Sequence, residues 1–127
     1  KLKVVLGKNL FSSYNQFAGI DAERIADMQW ALNHKKIKAV FCARGGYGCV
    51  RIIDKLDFSY FEKYPKWMVG FSDITVFHSH IHNLGFATLH ATMLFNISKI
   101  INNTIPHLNS IITLKIKTKI LCIFNVI

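Results

Sequence analysis

Short unbroken apolar rows alternate with stretches in which apolar residues recur every three to four positions. That alternation divides roughly the first 90 residues into strands and helices. Residues 1–6 (KLKVVL) read as a short strand and residues 7–19 as a polar loop with aromatic tips. From Asp21 the period becomes helical: Ala22, Ile25, Met28 and Leu32 share one face, Asp21 suits an N-cap, Glu23 complements the helix dipole, and Asn33 and His34 end the run. Residues 37–43 follow, with Ala39, Val40, Phe41 and Cys42 in a continuous apolar row that marks a strand covered on both faces. After Arg44-Gly45-Gly46-Tyr47-Gly48 the pattern predicts a short helix with Val50 and Ile53 inward, then a turn region over residues 57–65. Residues 67–71 form the next buried strand. Past Ser72, Ile74, Phe77, Ile81 and Leu84 mark another helix face, Gly85 is placed to cap it, and residues 86–89 close the series as a fourth strand.

Strands alternating with helices at short loop distances imply an α/β fold, a parallel sheet flanked by helices, because parallel neighbours need crossover connections. Ligands on such sheets bind beyond the carboxyl ends of the strands. The glycine loop at residues 44–48 and the turn at Ser72 both lie at such ends, so they are expected to face one crevice.

The chain has 127 residues, enough for one domain with a real core. Its 51% hydrophobic content with 18% charged residues excludes disorder, and no apolar run reaches the ~18 residues of a membrane span. The chain opens with no export signal, so a soluble, cytoplasmic protein is expected. The formal charge of +9 is dispersed: +5 lies over residues 1–93 and the remainder comes from Lys99, Lys115, Lys117 and Lys119. No basic stripe with interleaved aromatics occurs, which argues against nucleic acid as a partner. Cys42, Cys49 and Cys122 are odd in number and lack C-x-x-C spacing, so they read as buried free thiols.

Beyond about residue 94 the composition changes. No acid follows Asp73, no glycine follows Gly85, and residues 94–127 hold ten isoleucines. Two readings stand for residues 98–127: an atypical tail produced by translation past a frameshift or truncation point, or an edge strand built on the Lys115–Ile120 alternation.

Candidate chemistry concentrates at Lys66-Trp67-Met68-Val69-Gly70-Phe71-Ser72-Asp73-Ile74-Thr75. A serine where a buried strand ends and a helix begins is lifted off the sheet edge, and the first helical N–H groups aim at the reacting oxygen. Ser72 is therefore the candidate nucleophile. The hydrolase elbow G-x-S-x-G wants a small residue where Ile74 stands, which leaves an ordinary N-cap serine as the alternative. The glycine loop lacks both the Lys-[Ser/Thr] ending of a phosphate loop and the G-x-G-x-x-G spacing of a dinucleotide site. It could supply one oxyanion N–H beside that of Asp73, or it could be a tight turn needing positive φ. The Asp73 side chain reads as a first-turn dipole partner rather than a triad acid. His78 and His82 stand four apart without an intervening glutamate or a third ligand, so they read as solvated histidines and no metal is expected. His90, at the end of the fourth strand, is the only local candidate base, with a structural histidine as the alternative.

These residues resemble the LD-carboxypeptidase family of serine peptidases, which includes muramoyltetrapeptide carboxypeptidases and microcin-C immunity peptidases. Ala43-Arg44-Gly45-Gly46-Tyr47-Gly48, Pro65-Lys66 and Gly70-Phe71-Ser72-Asp73-Ile74-Thr75 stand in family order and spacing. Leu89-His90-Ala91-Thr92-Met93 follows where many members have a His-Gly-Pro version, and the helix with Glu23-Arg24 and Ala26-Asp27 is similar to the family's. The resemblance covers residues 1–97 and implies an incomplete flavodoxin-like N-terminal domain. It implies a cytoplasmic, cofactor-free and metal-free serine carboxypeptidase that releases the terminal D-alanine of murein tetrapeptides in cell-wall recycling, with a homodimer as its common assembly. Ser72 would attack, the amides of Asp73 and Gly46 (with Gly45 as the alternative to Gly46) would hold the oxyanion, and Arg44, Gly45 and His90 would contact the peptide. The family draws its triad glutamate and histidine from a C-terminal domain; this chain is expected to lack it and, alone, to show negligible activity. A microcin-C-immunity-like peptidase and a non-catalytic module gripping an anion with Arg44 are the alternatives.

Overall fold

The computed structural model describes residues 3–93 and 120–124. Strands β1 (Lys3–Leu6), β2 (Ala39–Cys42), β3 (Trp67–Gly70), β4 (Leu89–His90) and β5 (Ile120–Phe124) form one parallel sheet in the order β1-β5-β2-β3-β4. Helices α1 (Asp21–Asn33), α2 (Ser59–Lys63) and α3 (Thr75–Asn83) supply its crossovers, as parallel neighbours require. The α/β reading of the pattern therefore holds.

The sheet has one strand more than the pattern predicts. β5 pairs with β1 from Lys3↔Ile120 to Leu6↔Ile123 and with β2 from Ala39↔Leu121 to Cys42↔Phe124. It is an inner strand, where the Lys115–Ile120 alternation suggested an edge. Residues 115–119 of that alternation lie outside the described residues. The continuous row Ile120-Leu121-Cys122-Ile123-Phe124 is what a strand with neighbours on both sides reads like, and it begins where the lysines stop.

Alternate residues of each strand serve opposite faces. Val40, Cys42 and Met68 join Met28, Ala31 and Leu32 of α1, Phe61 of α2, and Ile74, Phe77 and Ile81 beside or within α3 in the main core. Ala39, Phe41 and Val69 form a second cluster on the other face with Trp67 and Leu89. Each large apolar side chain fully removed from water contributes about 1.5–3 kcal/mol. Two inward assignments change. Val50 is exposed and Ile52 is buried in its place, because residues 49–55 form two tight 3-10 turns rather than one α-helix. Ala22 is exposed while Arg24 is buried. The predicted turn at residues 57–65 contains α2, whose five residues are too few to show a helical period.

Helix α1 begins one residue earlier than expected. Ile20 is the extended N-cap and Asp21 the first helical residue, with the Ile20 amide donating to Glu23 Oε2 at 3.0 Å. Its other end has no basic residue of its own. Buried Lys66 supplies the charge instead, donating from Nζ to the carbonyls of Ala31 (2.8 Å), Leu32 (2.6 Å) and His34 (3.2 Å). Those carbonyls have no intrahelical donor and carry the negative end of the dipole. Asp27 faces the loop before the helix and accepts the Asn9 amide at 2.7 Å and Asn9 Nδ2 at 3.0 Å. Helix α3 ends as predicted: Gly85 has φ +86°, its amide reaches the His82 carbonyl at 2.8 Å, and the Phe86 amide reaches that of Ile81 at 3.1 Å.

Lys66→Met keeps the length and the apolar stem but strips three carbonyls of a charged donor. Equilibrium urea unfolding should show a loss of about 2 kcal/mol, the scale of a hydrogen-bonded buried charge. An unchanged midpoint would rule out the helix-terminus role.

Candidate functional site at the Ser72 turn

Strand β3 ends at Gly70, Phe71 stays extended, and Ser72 turns into the left-handed region at φ +62°. A single 3-10 turn, Ser72–Ile74, leads into α3. The serine side is exposed, while Ile74 is fully buried. Left-handed backbone costs a non-glycine residue about 1–2 kcal/mol, so neighbours must hold it. Gly70 allows the turn to fold back: a Cβ there would lie 2.9 Å from Ile74 Cγ1. Ile74 stands where an elbow usually has a small residue, and the missing Gly70 side chain makes the room.

The glycine loop comes up against this turn. A Cβ on Gly45 would lie 3.0 Å from Ser72 Cβ and 3.0 Å from Met93 Cε. The glycine loop and the serine turn therefore lie side by side, with no room for a side chain at Gly45. The Asp73 side chain ties them further, its Oδ2 accepting the Cys49 amide at 2.8 Å. Sequence reasoning assigned that carboxylate only to the helix dipole; it also bridges two segments 24 residues apart.

Positive φ belongs to Gly48 (+121°), not to Gly45 or Gly46. At Gly48 a Cβ would meet Arg24 Nη1 at 2.9 Å and Phe17 Cε1 at 3.0 Å. Arg24 is the residue most plainly missed. It is buried, donates from Nη1 to the Gly48 carbonyl at 3.3 Å, pairs with Asp21, and stacks 5.0 Å from the Phe17 ring centroid. A cation at helical spacing from Met28 and Ala31 was the available signal, since such a residue is buried only with partners. Arg51 completes the cluster, with Nη2 2.9 Å from Asp21 Oδ2 and its guanidinium 5.1 Å from the same ring. The Arg51 hydrogen bonds, reinforced by Arg24, hold the Asp21 carboxyl down to a pKa of about 2 against the opposing effect of burial.

Arg44 is exposed on the loop, with Nε donating to the Gly45 carbonyl at 3.3 Å. Gly46 is exposed beside it. His90 is exposed at the carboxyl end of β4, in register with Gly70, its ring centroid 6.3 Å from that of Phe71. No hydrogen bond joins it to Ser72 among the described residues. His78 is not solvated as expected: it is buried, with Nε2 3.0 Å from the Gly70 carbonyl, because its place one residue after Phe77 turns it toward the strand end. His82 is exposed, and no group of three potential metal ligands occurs among the described residues. Cys42 and Cys49 are buried free thiols whose pKa burial raises, as their spacing suggested. The side chain of Cys122 lies outside the described residues. No described helix is long and apolar enough to cross a membrane.

Sequence comparison matches the LD-carboxypeptidase N-terminal domain to residues 1–91, a span that contains the exposed serine, the helix after it and the glycine loop. The chain belongs to the LD-carboxypeptidase family. Among relatives from this family, a protein named "probable murein peptide carboxypeptidase" in Bacillus subtilis is 46% identical over 94 residues, covering 73% of this chain and 30% of that protein. The "murein tetrapeptide carboxypeptidase" of Pseudomonas aeruginosa is 36% identical over 86 residues, covering 67% of this chain and 28% of that protein. The chain thus spans about 30% of the length of the curated relatives it matches. The family assignment makes this a hydrolase lineage, and the matched segment contains both the glycine loop and Ser72.

Two measurements test the scaffold. Because the folded pKa of Asp21 lies below its unfolded value near 3.9, its ion pairs stabilise the fold fully above about pH 4, and this contribution fades as pH falls toward 2. Asp21→Asn should therefore flatten the acid limb of a stability–pH profile between pH 5 and 2 while lowering the neutral plateau. An acid limb as steep as wild type would remove Asp21 from that role. Gly48→Ala should cost about 1–3 kcal/mol in chemical denaturation, from left-handed strain and the contact with Arg24; a neutral substitution would contradict the turn geometry.

Proposed function

We propose that Ser72 is the nucleophile of a serine-type LD-carboxypeptidase that releases the terminal D-alanine from murein tetrapeptides, a cytoplasmic step of cell-wall recycling. The observation that carries this reading is the left-handed Ser72 turn at the carboxyl end of β3, beside the glycine loop. Family membership and the murein names of the relatives agree with it. In the proposed reaction Ser72 Oγ attacks the carbonyl carbon of the L,D peptide bond while a base takes its proton. The amides of Asp73 and Gly46 stabilise the resulting oxyanion, and each donor of this kind typically lowers the barrier by ~3 kcal/mol. In this scheme Arg44, Gly45 and His90 contact the peptide. Collapse of the tetrahedral intermediate expels D-alanine, whose amine takes the proton, and water then frees the acyl-serine.

A serine hydroxyl is barely ionised at neutral pH and needs a positioned base. None hydrogen-bonds Ser72 among the described residues. In the family's scheme a glutamate and a histidine of a C-terminal domain supply that function, and two copies assemble as a homodimer. Residues 1–97 are the unit to which this reading applies; the family match ends within it.

The 127-residue chain incubated with murein tetrapeptide should release no D-alanine above a Ser72→Ala control. A chimera in which residues 1–91 replace the matched segment of the Bacillus subtilis relative should release it. Ser72→Ala in that chimera should lower kcat by about 10⁶-fold, the scale seen when a catalytic serine is removed. A chimera equally active with and without the serine hydroxyl would defeat the proposal, whereas Ser72-dependent release by the isolated chain would overturn only the need for a C-terminal base.

A further inference from the structure

The Gly70 carbonyl is the last acceptor of β3, two residues before the serine, and it receives two donors. One is the Ala91 amide at 3.0 Å, just past β4. The other is Nε2 of His78, at 3.0 Å, from the second turn of α3. A carbonyl can only accept, so Nε2 carries the imidazole proton and the ring is the Nε2–H tautomer. Nδ1 is buried without a hydrogen-bond partner among the described residues. Desolvation lowers the His78 pKa, with the Gly70 carbonyl acting the other way, so the ring is neutral near pH 7. The ring of exposed His90 lies 5.7 Å away, centroid to centroid, on the open side.

This contact spans the turn from strand to helix. Residues 70 and 78 bracket Phe71, the left-handed Ser72 and the 3-10 turn, with strand β3 on one side and helix α3 on the other. The orientation of Ser72 therefore depends on how α3 is rolled and raised against the end of β3. The apolar side chains of Phe77 and Ile81 bury α3 in the core without direction, and the Ile74 amide bonds the Phe71 carbonyl at 3.3 Å within the turn itself. The His78 to Gly70 hydrogen bond is a side-chain bond from α3 to the strand end. An imidazole left half-bonded in a buried place costs free energy that an apolar side chain would avoid. Its presence beside the serine turn therefore needs a local explanation.

We propose that His78 is a positioning residue that locks α3 to the last carbonyl of β3 and thereby holds Ser72 in its left-handed conformation. The proposal gives the nucleophile reading of Ser72 its mechanical basis, and its test reads conformation rather than hydrolysis, so the two can fail separately. In the full 127-residue chain, nuclear magnetic resonance should show His78 as the Nε2–H tautomer, and Ser72 should show the strong intraresidue amide-to-Hα contact that positive φ produces. His78→Phe, which fills the volume without a donor, should keep the core resonances and lose that Ser72 signature. His78→Gln, which can still donate to the carbonyl, should restore it. A folded His78→Phe chain with the Ser72 signature intact would overturn the proposal. Should His78→Phe fail to fold, the wild-type ring decides: a proton on Nδ1, or rapid exchange between tautomers, overturns it equally. Absence of D-alanine release from the chimera, with these conformational results as expected, would fault the peptidase reading and leave the positioning role standing.

Discussion

A left-handed serine can persist here only because β3 ends in a residue with no side chain. Gly70 leaves the space into which Ile74 folds back, and its carbonyl takes donors from both β4 and α3. Strand end, turn and helix are thus joined at one peptide group. A strained residue survives where its surroundings over-determine it. Around Ser72 the buried Ile74 side chain, the Asp73 carboxylate and the neighbouring Gly45 backbone, which leaves no room for a side chain, add to the bonds at the Gly70 carbonyl.

The glycine loop is held from its other side by electrostatics. Arg24 sits beneath Gly48 with Phe17 against its guanidinium, and Asp21 is shared between Arg24 and Arg51. A buried guanidinium would be costly alone, but here its charge is paired and its face is stacked. The consequence for the site is that the loop is braced on both flanks: Asp73 fixes it to the serine turn, and Arg24 fixes it to α1. Rigid support of this kind is what lets backbone amides act as preorganised donors.

Much of this was legible along the chain. The apolar rows at Ala39–Cys42 and Trp67–Gly70 are strands, the Ile74, Phe77, Ile81 spacing is a helix face, and Gly85 caps it through positive φ, all from local periodicity and turn chemistry. The Ser72 turn was legible for the same reason, since a change of period with a glycine before it is a local signal. Side chains acting across long sequence separations were not. Lys66 serves the end of a helix about 32 to 35 residues away, and Arg24 serves a loop 24 residues away. Helical spacing marks Arg24 as a buried cation, but nothing in either neighbourhood says which distant residue is the partner. Val50 and Ala22 were set inward by a helical period that the tight turns and the buried cation displace.

The sequence by itself determined the α/β class, the family and the position of the exposed serine, because hydrophobic period and local motif spacing are properties of neighbouring residues. Only the tertiary structure decided that β5 lies inside the sheet, that Gly45 packs too close to Ser72 to carry a side chain, and that His78 turns inward to the Gly70 carbonyl. Each of these depends on which distant segments meet when the core closes. One-dimensional pattern carries no record of that meeting, since hydrophobic burial is non-directional and many arrangements satisfy the same period. The directional contacts that choose among them exist only once the elements have packed.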